Sequence, residues 1–164
     1  MGKKVCILGI DPGTRITGYG VIVAEGSKKT ALDYGAIRPP ASKELNERYL
    51  ILHNAVESLI EKYKPDAVAV ETQYVSKNAQ SAIKLGMARG VITLAATKAG
   101  IPVHEYAPSV AKKAAVGVGS AKKGDIQRMI QMVLKLKELP TPEDAADALA
   151  LALCFLHRER IQYV

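Results

Sequence analysis

The sequence predicts an α/β fold in which one mixed β-sheet carries helices on both faces, and three observations predict it. A continuous apolar run, Val5 to Ile10, suits a central strand buried on both sides. Two further β-rich stretches follow it with only polar connections. Beyond Ser42 the apolar period alternates between helical and extended, the pattern of parallel strands joined by crossover helices. At 164 residues the chain fits one domain with a substantial core, taken as residues 1–164.

The elements follow in order. Tyr19 to Ala24 and Thr30 to Ile37 flank the polar loop Glu25-Gly26-Ser27-Lys28-Lys29 and read as a hairpin, so the first three strands form an antiparallel meander. Pro39-Pro40 breaks the chain. Leu45, Tyr49, Leu52, Val56, Leu59 and Tyr63 recur at three- and four-residue steps, the stripe of an amphipathic helix that Pro65 closes. "DAVAVET", Asp66 to Thr72, is a short strand, Ala79 to Ala99 a second helix, and Val103 to Tyr106 the fifth strand. Pro108 opens a helix, "VGVGSAKKGD" is a glycine-bearing loop, and a helix follows near Asp125 to Leu136. The last helix runs to about Arg160, with Thr141 as its N-cap and Pro142 at its first position.

Net charge is +7, and its distribution is uneven. Between Lys112 and Lys137, Lys112, Lys113, Lys122, Lys123, Arg128, Lys135 and Lys137 face a single acid, Asp125. Such segregation points to a polyanion-binding face, nucleic acid being the usual partner. Cys6 and Cys154 sit apart in apolar stretches without zinc or redox spacing, and read as reduced thiols of a cytoplasmic protein. The apolar run after Met1-Gly2-Lys3-Lys4 is too short for a signal peptide or a membrane span, so no membrane association is expected. His53, His104 and His157 show no ligand spacing and read as structural.

Two strands end alike: Ile10 gives way to Asp11, and Val70 to Glu71. In α/β sheets functional groups gather at the carboxyl ends of parallel strands. Each acid alone has a plainer reading, Asp11 as the first residue of an Asp-Pro-Gly turn and Glu71 as a strand's exit into solvent. The final helix, "TPEDAADALALALCF", sharpens the case. Asp144, Asp147, Ala148, Leu151 and Phe155 share one helix face, which turns both aspartates toward the core. An inward carboxylate is costly unless paired or bound to a cation, and a hard divalent ion suits a pair one turn apart. The small residues Ala145, Ala146, Ala148, Ala150 and Ala152 let this helix approach the sheet and bring Asp144 and Asp147 toward Asp11 and Glu71.

"DPGT" at Asp11–Thr14 is also similar to a phosphate loop of actin-like ATPases, but no second such loop and no room for a second lobe exist here. Gly18-Tyr19-Gly20 lacks the third glycine of a dinucleotide fingerprint. Gly119 and Gly124 have P-loop separation, yet Asp125 stands where lysine is required.

"GIDPGTRITGYG", "ETQYVSKNAQSAIKLGMARGV", "VGVGSAKK" and "EDAADALALAL" together resemble the RuvC family of Holliday-junction resolvases, in the right order and over essentially the whole chain. The resemblance implies a ribonuclease H-like fold and an endonuclease that resolves four-way DNA junctions by paired symmetric nicks, in recombination and repair. It implies Asp11, Glu71, Asp144 and Asp147 as catalytic metal ligands; all four positions are acidic here. Two Mg²⁺ ions about 3.5–4 Å apart, with Mn²⁺ as a substitute, would activate a water and stabilise the departing 3′-oxygen, leaving 5′-phosphates.

By the same resemblance, Tyr74 stands where the family usually carries a phenylalanine that wedges at the junction centre. Tyrosine can stack on a base as well, or serve as a rim or core aromatic. Lys77 and Asn78 would face DNA phosphate at a helix start, and Lys112 and Lys123 would meet DNA near the scissile bond. Ser120 is a candidate cap for the helix that Lys123 joins. Gly86 and Gly90, one turn beyond Ala82, form a smooth helix stripe. The implied assembly is a homodimer joined there, working with a branch-migration complex of the RuvA and RuvB type. Two other classes stay open at this point: a ribonuclease H-like enzyme of ribosomal RNA maturation, and a DNA-binding module that does not cut.

Overall fold

The computed structural model describes residues 2–72, 78–116 and 123–159. Its sheet has five strands, β1 (Lys4–Asp11), β2 (Thr17–Glu25), β3 (Lys28–Ile37), β4 (Ala67–Glu71) and β5 (Val103–Tyr106), in the order β3-β2-β1-β4-β5. The first three pair antiparallel, whereas β4 runs parallel to β1 and β5 parallel to β4. This is the expected mixed sheet. The hairpin connection is tighter than expected: β3 already begins at Lys28, opposite Glu25, because Gly26 adopts the left-handed conformation that a short turn requires.

Alternation along the strands sorts side chains into two cores. Leu8 and Ile10 of β1, Val21 of β2, and Val68 and Val70 of β4 pack against helices α1 (Leu45–Tyr63) and α2 (Ala79–Lys98). Helix α1 presents buried Leu52, Val56 and Ile60, and Tyr49 fastens it to α2 by donating its hydroxyl to the Lys84 carbonyl at 3.1 Å. On the other face, Val5 and Ile7 of β1, Ile22 and Ala24 of β2, and Ala67 and Ala69 of β4 meet helix α5 (Glu143–Arg158). Helices α3 (Pro108–Val116) and α4 (Lys123–Leu134) cover α5 from outside. Sandwiched in this way, α5 is buried all round: of the residues from Ala145 to Leu156, Asp147 alone is not fully buried.

Two expectations need correction. Helix α4 begins at Lys123, two residues early, and the glycine-bearing loop before it lies outside the described residues. The N-cap of α5 is Pro142, not Thr141. The Ala145 amide donates to the Pro142 carbonyl at 2.9 Å, so Pro142 closes the first turn and Thr141 stands outside it.

Candidate active site

Parity along the strands fixes where the acids point. Asp11 shares the face of Ile7 and Gly9, and Glu71 that of Ala67 and Ala69, so both carboxylates leave the sheet on the α5 side. Ile10 and Val70 are register partners in adjacent parallel strands, which sets the two acids side by side at one level.

Helix α5 supplies the other pair, and the strands make room for it with glycine. A methyl group on Gly9 would overlap the Ala148 carbonyl, and one on Gly20 would come within 2.6 Å of Leu149 Cδ2. Gly18, the register partner of Asp11, lies so close to α5 that a methyl group there would overlap the Asp144 carbonyl. Gly9, Gly18 and Gly20 of "GIDPGTRITGYG" are therefore a helix-docking surface. They seat the first turns of α5 directly beside the end of β1. Spacing alone did not show this, because the partner atoms lie over a hundred residues away.

The result is one cleft of about 450 Å³ lined by Asp11, Glu71, Asp144 and Asp147 together with Lys112 of α3. The turn after β1 contributes Pro12, Gly13 and Thr14, and the start of α2 contributes Ser81; sequence reasoning missed Thr14 and Ser81 as cleft residues. Asp11 is the deepest of the acids, its residue only 8% exposed. Lys112 is half-buried at the wall. Asn78 caps α2, its side-chain oxygen accepting from the amides of Gln80 at 3.0 Å and Ser81 at 3.3 Å, and thereby fixes the turn that carries Ser81.

Tyr74, Lys77 and Ser120 lie outside the described residues, as does the side chain of Lys123, whose backbone opens α4. None of the three histidines is among the residues that line the cleft. His104 packs edge-on against Phe155, with ring centroids 4.8 Å apart, and His53 lies 3.7 Å from Glu57 one turn on. His157 lies 3.4 Å from Lys29 Nζ.

Four carboxylates without thiol or imidazole make a hard-oxygen donor set, the chemistry that suits Mg²⁺ or Mn²⁺. Among the described residues, no three such groups are gathered closely enough to hold one ion. The donor chemistry itself fits a hard dication. No helix among the described residues is long and apolar enough to cross a membrane.

Comparison with known proteins agrees with this architecture. The family model described as crossover junction endodeoxyribonuclease RuvC matches residues 7–155. A crossover junction endodeoxyribonuclease RuvC of Protochlamydia amoebophila is 62% identical over 154 residues, covering 94% of this chain and 92% of the relative. Among solved structures, the RuvC of Thermus thermophilus superposes with a TM-score of 0.86 at 35% identity, over 97% of this chain and 98% of the other. A structure of T. thermophilus RuvC in complex with a Holliday junction substrate gives 0.87 at 34% identity, with 96% of each chain covered. Sheet order, cleft and sequence converge, and the chain belongs to the RuvC family of crossover junction endodeoxyribonucleases, with the ribonuclease H-like fold of that family.

Proposed function

We propose that this protein resolves Holliday junctions by paired symmetric nicks, in recombination and repair, with residues 1–164 acting as one nuclease domain in the cytoplasm. The single observation that carries the proposed chemistry is the convergence of Asp11, Glu71, Asp144 and Asp147 on one cleft. A chain of charge +7 attracts the DNA backbone, yet four acids against one lysine repel a phosphate from the cleft itself. Divalent cations held by the acids reconcile the two.

Asp11, deepest and at the end of a central strand, would be the least mobile of the metal-holding carboxylates, and Glu71, Asp144 and Asp147 would complete the set. Two Mg²⁺ ions, when bound, supply an activated water and charge stabilisation for the departing 3′-oxygen, leaving a 5′-phosphate that ligase can reseal. Lys112 reaches a phosphate oxygen from the cleft wall. Asn78 holds the first turn of α2 at the mouth, where its exposed position also faces DNA, and by the family resemblance Tyr74, Lys77 and Lys123 would contact DNA as well.

A four-way junction needs two related cuts, which a two-fold dimer provides. Helix α2 offers the face for it. Ile83, Met87 and Leu94 are exposed along one stripe with Gly86 and Gly90, opposite the core residues Ala88, Ile92 and Ala95. A branch-migration complex of the RuvA and RuvB type delivers the junction.

The test offers the purified protein a synthetic four-way junction, linear duplex and structured RNA, with Mg²⁺ or EDTA. We expect symmetric, ligatable nicks in the junction alone, only with metal. Asp11→Asn should cut about a thousandfold more slowly, since metal charge stabilisation supplies several kcal/mol and each ~1.4 kcal/mol is tenfold in rate. Cleavage of RNA in preference to the junction, or binding without scission in any metal, would sink the reading.

A further inference from the structure

Arg48 of α1 holds the far side of the turn that follows Asp11. Its guanidinium donates to the Thr14 carbonyl at 2.9 Å, across thirty-four positions of sequence and from the layer opposite α5. The bond is unusual in what it leaves undone. Among the described residues Arg48 forms no ion pair, and its Nε–H is buried without a hydrogen-bond partner. The gap beside it, between Thr14, Thr17 and Tyr49, measures about 10 Å³, at the lower limit of what a single water needs.

An unsatisfied buried donor costs about 1–3 kcal/mol, close to what one charged hydrogen bond returns. Stability alone therefore gives little reason for an arginine here. Position gives a better one. Pro12, Gly13 and Thr14 form a wall of the cleft, and within the turn the Gly13 amide reaches Thr17 Oγ1 only at a long 3.4 Å. The Arg48 bond is the shorter tether and pulls from outside.

We infer that Arg48 is a positioning residue, which through the Thr14 carbonyl fixes the turn after Asp11 and so sets one wall of the cleft. This rests on the nuclease reading above, and it predicts an effect on turnover with little effect on junction affinity. Misplacing reacting groups by an ångström costs up to about a hundredfold in rate.

The experiment compares Arg48→Leu, Arg48→Lys and Val56→Ala with the wild type. It measures single-turnover junction cutting, junction affinity, and amide hydrogen exchange of residues 12–17. Val56, fully buried two turns along the same helix, weakens α1 without touching the turn. Arg48→Leu should cut about ten- to a hundredfold more slowly, bind the junction as before, and exchange faster at 12–17. Arg48→Lys, which keeps a donor, should recover part of both effects. Val56→Ala, assayed where it is folded, should cut normally. Normal cutting by Arg48→Leu, unchanged exchange at 12–17, or an equal loss in Val56→Ala would overturn the inference. A wild type that fails to cut junctions would instead remove the nuclease reading, and the exchange measurement would still decide whether the tether exists.

Discussion

The two faces of the sheet use alternate residues of the same strands and solve different problems. Toward α1 and α2 the strands present Leu8, Ile10, Val21, Val68 and Val70, bulky side chains that hold the helices at an ordinary distance and fill the space between. Toward α5 the bulky Val5, Ile7 and Ile22 lie farther from the cleft, and at the cleft end the strands present Gly9, Gly18 and Gly20, with Ala24, Ala67 and Ala69 elsewhere on that face. There the helix backbone comes into contact with the strand backbone, and helix positions that would otherwise contact apolar side chains carry carboxylates instead. One face stores stability in volume; the other gives up volume to place Asp144 beside Asp11. The contrast shows that a close backbone approach, rather than a loop, presents half of the acidic set.

Gly18→Ala breaks this comparison most severely. The added methyl has no flexible neighbour to displace, since it meets the Asp144 carbonyl itself. We expect a stability loss of about 1–3 kcal/mol from overpacking, and junction cutting that falls at least tenfold even where the variant is folded. Val56→Ala on the opposite face removes methyls from a fully buried site and should cost about 0.5–1.5 kcal/mol or somewhat more with cutting intact. Thermal melts beside single-turnover rates check both. If Gly18→Ala cuts normally, the docking surface does not set the cleft.

How legible the molecule is in its sequence follows the same division. The α1 face was readable because its packing is written in side-chain periodicity; Leu52 and Val56 stand out at four-residue steps, although buried Ile60 was not in the stripe. Asp11 and Glu71 were readable as strand ends, and Asp144 and Asp147 as acids in an apolar helix. The rest depends on backbone atoms of distant segments. Gly18 against Asp144 and Arg48 against Thr14 leave no periodic trace, because glycine shows only an absence and a carbonyl belongs to every residue. The cap of α5 misled for a related reason: Thr-Pro has the composition of a helix start, but the Pro142 carbonyl takes the first-turn bond and shifts the start by one residue.

The outer side of α2 sharpens the comparison at intermediate scale. A side chain added at Gly90 meets nothing within 4 Å, so within one protomer the position is free. Replacing a helical glycine there should even favour α2 by several tenths of a kcal/mol up to about 1. Across a two-fold contact the same side chain would obstruct close helix approach, and a charge would be desolvated. Gly90→Glu should therefore keep or slightly raise the melting temperature at low protein concentration while sedimenting as a monomer. Sedimentation identical to wild type would show that α2 is not the dimer face.

The smallest effect separates the two faces by their thiols. Cys154 is fully buried within α5, whereas Cys6 on β1 lies half-buried on the α1 side, its amide donating to the Asp66 carboxylate at 2.8 Å. Burial pushes the Cys6 thiol up to about 11, helped by the Asp66 charge and opposed by Lys4. Burial likewise raises Cys154 to about 11, with Arg158 opposing and Glu159 assisting. The folded state thus holds both protons more tightly than the unfolded chain, whose thiols titrate near 9.0. Their contribution to stability is complete below pH 9 and lost as pH rises toward 11. Urea midpoints for the wild type should fall across that window more steeply than those for a Cys6→Ala/Cys154→Ala protein, in which tyrosines and lysines still titrate. Exposure rather than acidity must then separate the two thiols, since both are raised alike. Iodoacetamide at pH 8 should modify Cys6 first, and Cys154 only at the rate of opening of the α5 layer. Equal labelling of both in the native protein would mean that the close-packed face opens as readily as the bulky one, and that close backbone contact confers no rigidity on the acids it presents.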